Sequence, residues 1–167
     1  MISQPIDFLG LNVYSRVVVS AENYNPQWWV AGDAHPGGNF LDNGMEFYPK
    51  SVYDAIFMAR DEYGFDKPIF ITENGVADSH GDSVDGPIHD EERILYIAGF
   101  LEWIAKAIDD GADVRGYYLW SLMDNFEWAA GFSQRFGLVH VDTKSLKRTP
   151  KASADWYRRV IARRGLN

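Results

Sequence analysis

The chain has 167 residues, 46% of them hydrophobic and 15% aromatic, with a formal net charge of −8. That length suits one domain able to bury roughly 70% of its unfolded surface, and the hydrophobic share excludes a disordered chain. The acidic balance excludes a nucleic-acid partner, and the lack of cysteine excludes disulfides and thiol chemistry.

The start, Met1-Ile2-Ser3-Gln4-Pro5, has neither a basic nor an apolar leader segment, and no apolar run approaches the ~18 residues of a membrane span. A soluble, cytoplasmic chain with no membrane contact is the expectation, unless an upstream signal precedes it. The first predicted strand covers Ile6 to Tyr14 and ends in polar and aromatic residues. From about Ser20 to Tyr48 follows an irregular stretch with the pair Trp28-Trp29, a length that usually means function. Pro49 opens a predicted helix of about 15 residues with Val52, Ala55, Ile56 and Ala59 on one face, ending before Gly64.

Lys67-Pro68 leads into Ile69-Phe70-Ile71-Thr72, a continuous apolar run of the kind buried on both faces of a parallel sheet, stopped by Glu73 and a tight Asn-Gly turn. Asp90 is placed as an N-cap, with Glu91 and Glu92 complementing the helix dipole. Ile94, Ile97, Leu101, Ile104 and Ile108 form the apolar stripe of that helix, and Gly111 ends it. Val114 to Ser121 is the next strand, Gly137 to Val141 a short extra one, and Thr149-Pro150 starts the last helix with Pro at its first position. Arg158, Arg159, Arg163 and Arg164 read as a solvated face of it. Alternating strands and helices of crossover length indicate an α/β chain, residues 1–167 forming one unit with parallel strands. Polar and acidic residues gather after the strand ends, where such folds place active sites.

Glu73 is therefore either a surface carboxylate beside a turn or a carboxylate fixed on a rigid strand to attack a substrate. Glu127 beside Trp128 suits a sugar site, the oxygens accepting hydroxyls while the indole covers an apolar ring face, but ordinary packing fits equally. Trp120, on pattern alone, is a core residue. Asn12 and Tyr14, two apart, point to one side and fit a barrel rim. His35, His80, His89 and His140 show no metal-ligand spacing, and Asp78, Asp82 and Asp85 miss the order of a calcium loop. No phosphate-binding glycine motif or nucleophile elbow occurs.

Four stretches carry a resemblance. Ile71-Thr72-Glu73-Asn74-Gly75 resembles the nucleophile motif of glycoside hydrolase family 1, the β-glucosidases and their relatives. Asp7 to Ser15 resembles that family's sixth barrel strand, with Val13 where a second Tyr is common. Tyr117 to Trp128 resembles the eighth strand and its loop, and Arg135-Phe136-Gly137-Leu138-Val139 with Val141-Asp142 the segment after it. The resemblance implies the C-terminal three βα units, strands six to eight, of a (β/α)8 TIM barrel, incomplete on its own.

What it implies for function is retaining hydrolysis of terminal β-D-glucosyl residues through a covalent glycosyl-enzyme, with no metal or organic cofactor. Glu73 would be the nucleophile, Tyr14 would hold that carboxylate aimed, and Asn12 would lie near the 2-hydroxyl. Trp120 would floor the sugar, Glu127 and Trp128 would bind its hydroxyls, and Phe136 would line the pocket. Glu127 would repel a 6-phosphate. The family's acid/base Glu belongs to an Asn-Glu-Pro motif on the fourth strand, and this sequence has no such tripeptide. A β-glucoside or oligosaccharide substrate is expected, together with a complementary N-terminal barrel half or self-association to cover the open sheet. The alternative is a non-catalytic sugar-binding or interaction module derived from such an enzyme.

Overall fold

The computed structural model describes residues 4–19, 32–33, 37–41, 43–78 and 86–166. In chain order the elements are β1 (Leu9–Asn12), β2 (Val18–Val19), β3 (Gly32–Asp33), α1 (Lys50–Phe57), β4 (Ile69–Asn74), α2 (Glu91–Asp109), β5 (Val114–Leu119), β6 (Val139–Val141), β7 (Arg148–Pro150) and α3 (Ala152–Arg163). The main sheet is β1-β4-β5, parallel throughout, with the apolar run of β4 in the centre. Helical crossovers join its strands, as the alternating pattern predicts.

Among the described residues the buried cluster lies on one side of this sheet. Ile69 and Ile71 of β4 meet Val52 and Ile56 of α1 and Ile97, Phe100 and Ile104 of α2 in one buried cluster, edged by Leu9, Leu11, Val114, Tyr117 and Leu119. Each such aliphatic side chain contributes about 1.5–3 kcal/mol when buried. The other face carries Phe8, Gly10, Asn12, Thr72 and Tyr118 and is uncovered, Phe8 being 53% and Tyr118 58% exposed. Phe70 lies there too, edge-on to Phe8 at 5.2 Å.

Several expectations are corrected. The first strand is only Leu9–Asn12. The helix after Pro49 forms and ends before Gly64 as expected, its last stretch, Met58–Glu62, being a π-helical turn. Thr149 and Pro150 do not begin the last helix: they belong to β7, antiparallel to β6 with Pro150 opposite Val139, and α3 starts at Ala152. At a strand end Pro forfeits no ladder bond that a two-stranded ribbon needs. The buried face of α2 is Arg93, Tyr96, Ile97, Phe100, Ile104 and Ala107, rotated from the predicted stripe, and Ile108 is 47% exposed. Two polar residues join that face because their polar ends find partners inside. Asp90 stands at the N-cap of α2 but its side chain caps a different helix, accepting the Ser153 amide of α3 at 2.8 Å. Arg158, Arg159, Arg163 and Arg164 are all exposed, and Arg158 and Arg159 pair with Asp155.

Candidate active site

The C-terminal ends of the three parallel strands converge on one small region. β1 and β4 slip register by a bulge between Leu11 and Asn12, which sets Asn12 opposite Glu73. The Val13 amide still donates to the Glu73 carbonyl at 3.0 Å, so the two strands stay paired to the rim. There the Tyr14 hydroxyl donates to Glu73 Oε2 at 2.9 Å. The Phe136 ring stands edge-on to Tyr14, with centroids 6.4 Å apart. Burial raises the Tyr14 phenol above the ordinary tyrosine value, and its hydrogen bond to Glu73 and the nearby carboxylates of Glu73 and Glu127 raise it further. The phenol is thus a neutral, fixed donor aimed at a carboxylate.

Directly behind Glu73 lies Asn74, whose side chain is fully buried. Its Nδ2 donates to the Val13 carbonyl at 2.7 Å and to Tyr96 Oη at 3.2 Å, while its Oδ1 accepts the Tyr117 hydroxyl at 2.6 Å. Tyr96 in turn donates to the Tyr14 carbonyl at 2.6 Å. One carboxamide therefore ties β4 to β1, β5 and α2 at the level of the candidate carboxylate. Asn74 is still strand, so the expected tight turn is absent. Gly75 is needed for a different reason: a Cβ there would lie 1.8 Å from the Trp120 carbonyl oxygen.

The segment after β5 brings the second group. Trp120 is half-buried, and its Nε1 lies 3.4 Å from Glu127 Oε2 as donor to acceptor. Asp124, buried under this loop, accepts the Gly137 amide at 2.9 Å and Lys151 Nζ at 3.0 Å. His140 Nδ1 lies 3.3 Å from its other oxygen. Burial pushes the Lys151 ammonium below the usual lysine value, Arg93 adds to this, and Asp124 partly offsets it. Trp128 projects from the loop, 83% exposed with φ at +44°.

Glu73, Tyr14 and Phe136 thus come together, as do Trp120 and Glu127. Asn12 is bonded elsewhere, its Oδ1 accepting from Thr72 Oγ1 at 2.7 Å. Trp28 and Trp29 lie outside the described residues, as do His35, His80, Asp82 and Asp85. Among the described residues no group of three or more His, Asp or Glu is arranged to hold a metal. The sequence reading missed Asn74, Tyr96, Tyr117, Arg93 and the Asp124–Lys151 pair. Arg93 and Tyr96 had left a signal, since both sit at helical spacing from Phe100 and Ile104.

A polar rim at the C-terminal ends of parallel strands, with a carboxylate held by a tyrosine, invites comparison with known proteins. The sequence profile of glycosyl hydrolase family 1 matches residues 1–166. The chain belongs to that family. It is 43% identical to a bifunctional β-D-glucosidase/β-D-fucosidase of Bifidobacterium breve, over 97% of this chain and 38% of that protein. It is 40% identical to β-glucosidase A of Acetivibrio thermocellus, over 99% and 37%. The family 1 β-glucosidase of Thermotoga maritima superposes with a TM-score of 0.89 at 38% identity, again over 99% of this chain and 37% of the other. The same enzyme in complex with glucoimidazole gives 0.88. These neighbours are TIM-barrel enzymes, which agrees with the α/β architecture, and the chain spans little more than a third of the length of the relatives it matches.

Proposed function

We propose that this chain supplies the attacking half of a retaining β-glucosidase site, as barrel strands six to eight of a larger enzyme. The observation that carries this reading is the Tyr14 hydroxyl bonded to Glu73 at the rim of adjacent parallel strands. A Glu73 oxygen attacks the anomeric carbon of a terminal β-D-glucosyl residue. The bond from that carbon to the aglycone oxygen breaks, and the oxygen takes a proton from an acid carried outside this chain. Water, deprotonated by the same partner, then attacks the anomeric carbon and frees both the β-configured sugar and the Glu73 carboxylate. Two inversions give net retention, and they require a second carboxylate about 5 Å from the first.

The remaining residues serve recognition. Trp120 floors the sugar ring while its indole N–H braces Glu127. Glu127 takes the 4- and 6-hydroxyls, Trp128 the 3-hydroxyl, and Phe136 lines the pocket. Asn12, with its oxygen engaged by Thr72, keeps its NH₂ for the region of the 2-hydroxyl. A carboxylate at Glu127 disfavours a 6-phosphorylated glycone by charge repulsion. The uncovered sheet face of Phe8, Phe70 and Tyr118 is where the complementary barrel units pack.

The test is to assay the chain on an aryl β-glucoside, alone and with a complementary N-terminal barrel portion. No hydrolysis alone and turnover on mixing is the expected outcome. Robust turnover by the chain alone would contradict the absent acid, and a folded but inert complex would favour a sugar-binding module.

A further inference from the structure

Arg93 lies on the core face of α2 and is 1% exposed, a cation in a place built for apolar side chains. A buried guanidinium is tolerated only where its five N–H groups are satisfied, and here all five are. Nε donates to Asp90 Oδ2 at 2.8 Å. Nη1 donates to the Phe136 carbonyl at 3.0 Å and to the Val76 carbonyl. Nη2 donates to the Arg135 carbonyl at 2.6 Å and to the Asp78 carbonyl at 3.3 Å. The four carbonyls come from two separate segments. Val76 and Asp78 follow Glu73 at the end of β4, while Arg135 and Phe136 close the loop that carries Glu127 and Trp128.

The same carbonyls serve the backbone. The Arg135 carbonyl also accepts the Asp78 amide at 3.3 Å, and the Phe136 carbonyl accepts the Ser121 amide, next to Trp120, at 3.2 Å. Asp90 completes the arrangement by binding the Ser153 amide and hydroxyl at the start of α3. Arg93 therefore grips both rim segments at once, and Phe136 stands edge-on to the Tyr14 that holds Glu73.

We propose that Arg93 is a positioning residue for the site: it sets the distance between the Glu73 rim and the Phe136–Glu127 loop, and so the width of the sugar pocket. The inference rests on the glycosidase reading for what the pocket holds, but not for the clamp itself. A planar five-donor fork is required for this task. Lysine keeps the charge beside Asp90 but has three donors around one nitrogen and cannot serve two carbonyl pairs and a carboxylate in one plane.

The test is Arg93→Lys with two readouts. The first is amide hydrogen exchange on the chain itself. The Asp78 and Ser121 amides should exchange faster by roughly tenfold or more, while Phe100 in the middle of α2 keeps its protection. Unchanged protection at Asp78 and Ser121, or an equal loss at Phe100, would overturn the clamp. The second is steady-state kinetics on an aryl β-glucoside in the active protein containing this chain, with Glu73→Gln alongside. A several-fold rise in KM is expected. A merely structural role would shrink the active fraction, lowering apparent kcat at constant KM, and that result would also overturn the proposal. If Glu73→Gln retained turnover the glycosidase reading would fall, while the exchange readout would still decide the clamp.

Discussion

The Tyr14 hydroxyl and Glu73 Oε2, 2.9 Å apart, join residues 59 positions apart in sequence at the ends of two neighbouring parallel strands. The bond is short-range in space only because the β1–β4 register sets it there. It gives the candidate nucleophile a fixed direction, since an unrestrained carboxylate would rotate about its terminal torsion.

Removing that donor is the mildest probe of the site. Tyr14→Phe keeps the ring against Phe136 and deletes only the hydroxyl. A hydrogen bond to a charged group contributes about 1.5–3 kcal/mol, so kcat/KM of the active protein should fall by roughly 10- to 100-fold. Steady-state kinetics on an aryl β-glucoside measures it, and unchanged kcat/KM would remove Tyr14 from the mechanism.

Several phenols behind the site resist ionisation. Burial raises Tyr14, Tyr96, Tyr117 and Tyr157 above the ordinary tyrosine value, and for Tyr96 the bond from Asn74 offsets this only in part. The unfolded chain ionises these groups near pH 10. The stability they contribute is therefore fully present below that pH and is lost as pH rises from there towards the folded values. Phenolate absorbance followed with circular dichroism should show a late fraction of the nine tyrosines titrating together with unfolding. A single smooth titration near pH 10 with the fold intact would contradict it.

Asn74 carries more structure than its neighbour Glu73. Asn74→Ala leaves the Tyr117 hydroxyl and the Val13 carbonyl without their partner inside the protein. Each buried group left unpaired costs about 1–3 kcal/mol, so a loss of about 2–6 kcal/mol is expected in urea denaturation. A change below about 1 kcal/mol would mean that water or a shifted backbone replaces the carboxamide.

The sequence made some of this legible and hid the rest for definable reasons. β4 was readable because a four-residue run, Ile69 to Thr72, between Pro68 and Glu73 is too short for a helix and suits a strand. Glu73 was a candidate from its place at the strand end. Glu127, Trp128 and Trp120 gained a role only from the family motif, because a carboxylate and indoles after a strand fit packing equally well. The rotated face of α2 escaped prediction because Arg93 and Tyr96 are polar by type and buried by partnership. Pro150 misled because a proline after threonine opens a helix as readily as it ends a strand, and only the pairing with Val139 decides between them. Gly75 looked like a turn residue, whereas the approach of the Trp120 carbonyl is what excludes a side chain there.

The most direct test of the central claim is Glu73→Gly in the active protein, assayed on an aryl β-glucoside with and without sodium azide. Loss of turnover by a factor on the order of a thousand or more is expected. Azide should then restore release of the aryl group by direct attack from the vacated side, a single displacement that yields the α-glucosyl azide. Wild-type turnover by Glu73→Gly, or an azide product of β configuration, would contradict Glu73 as the nucleophile.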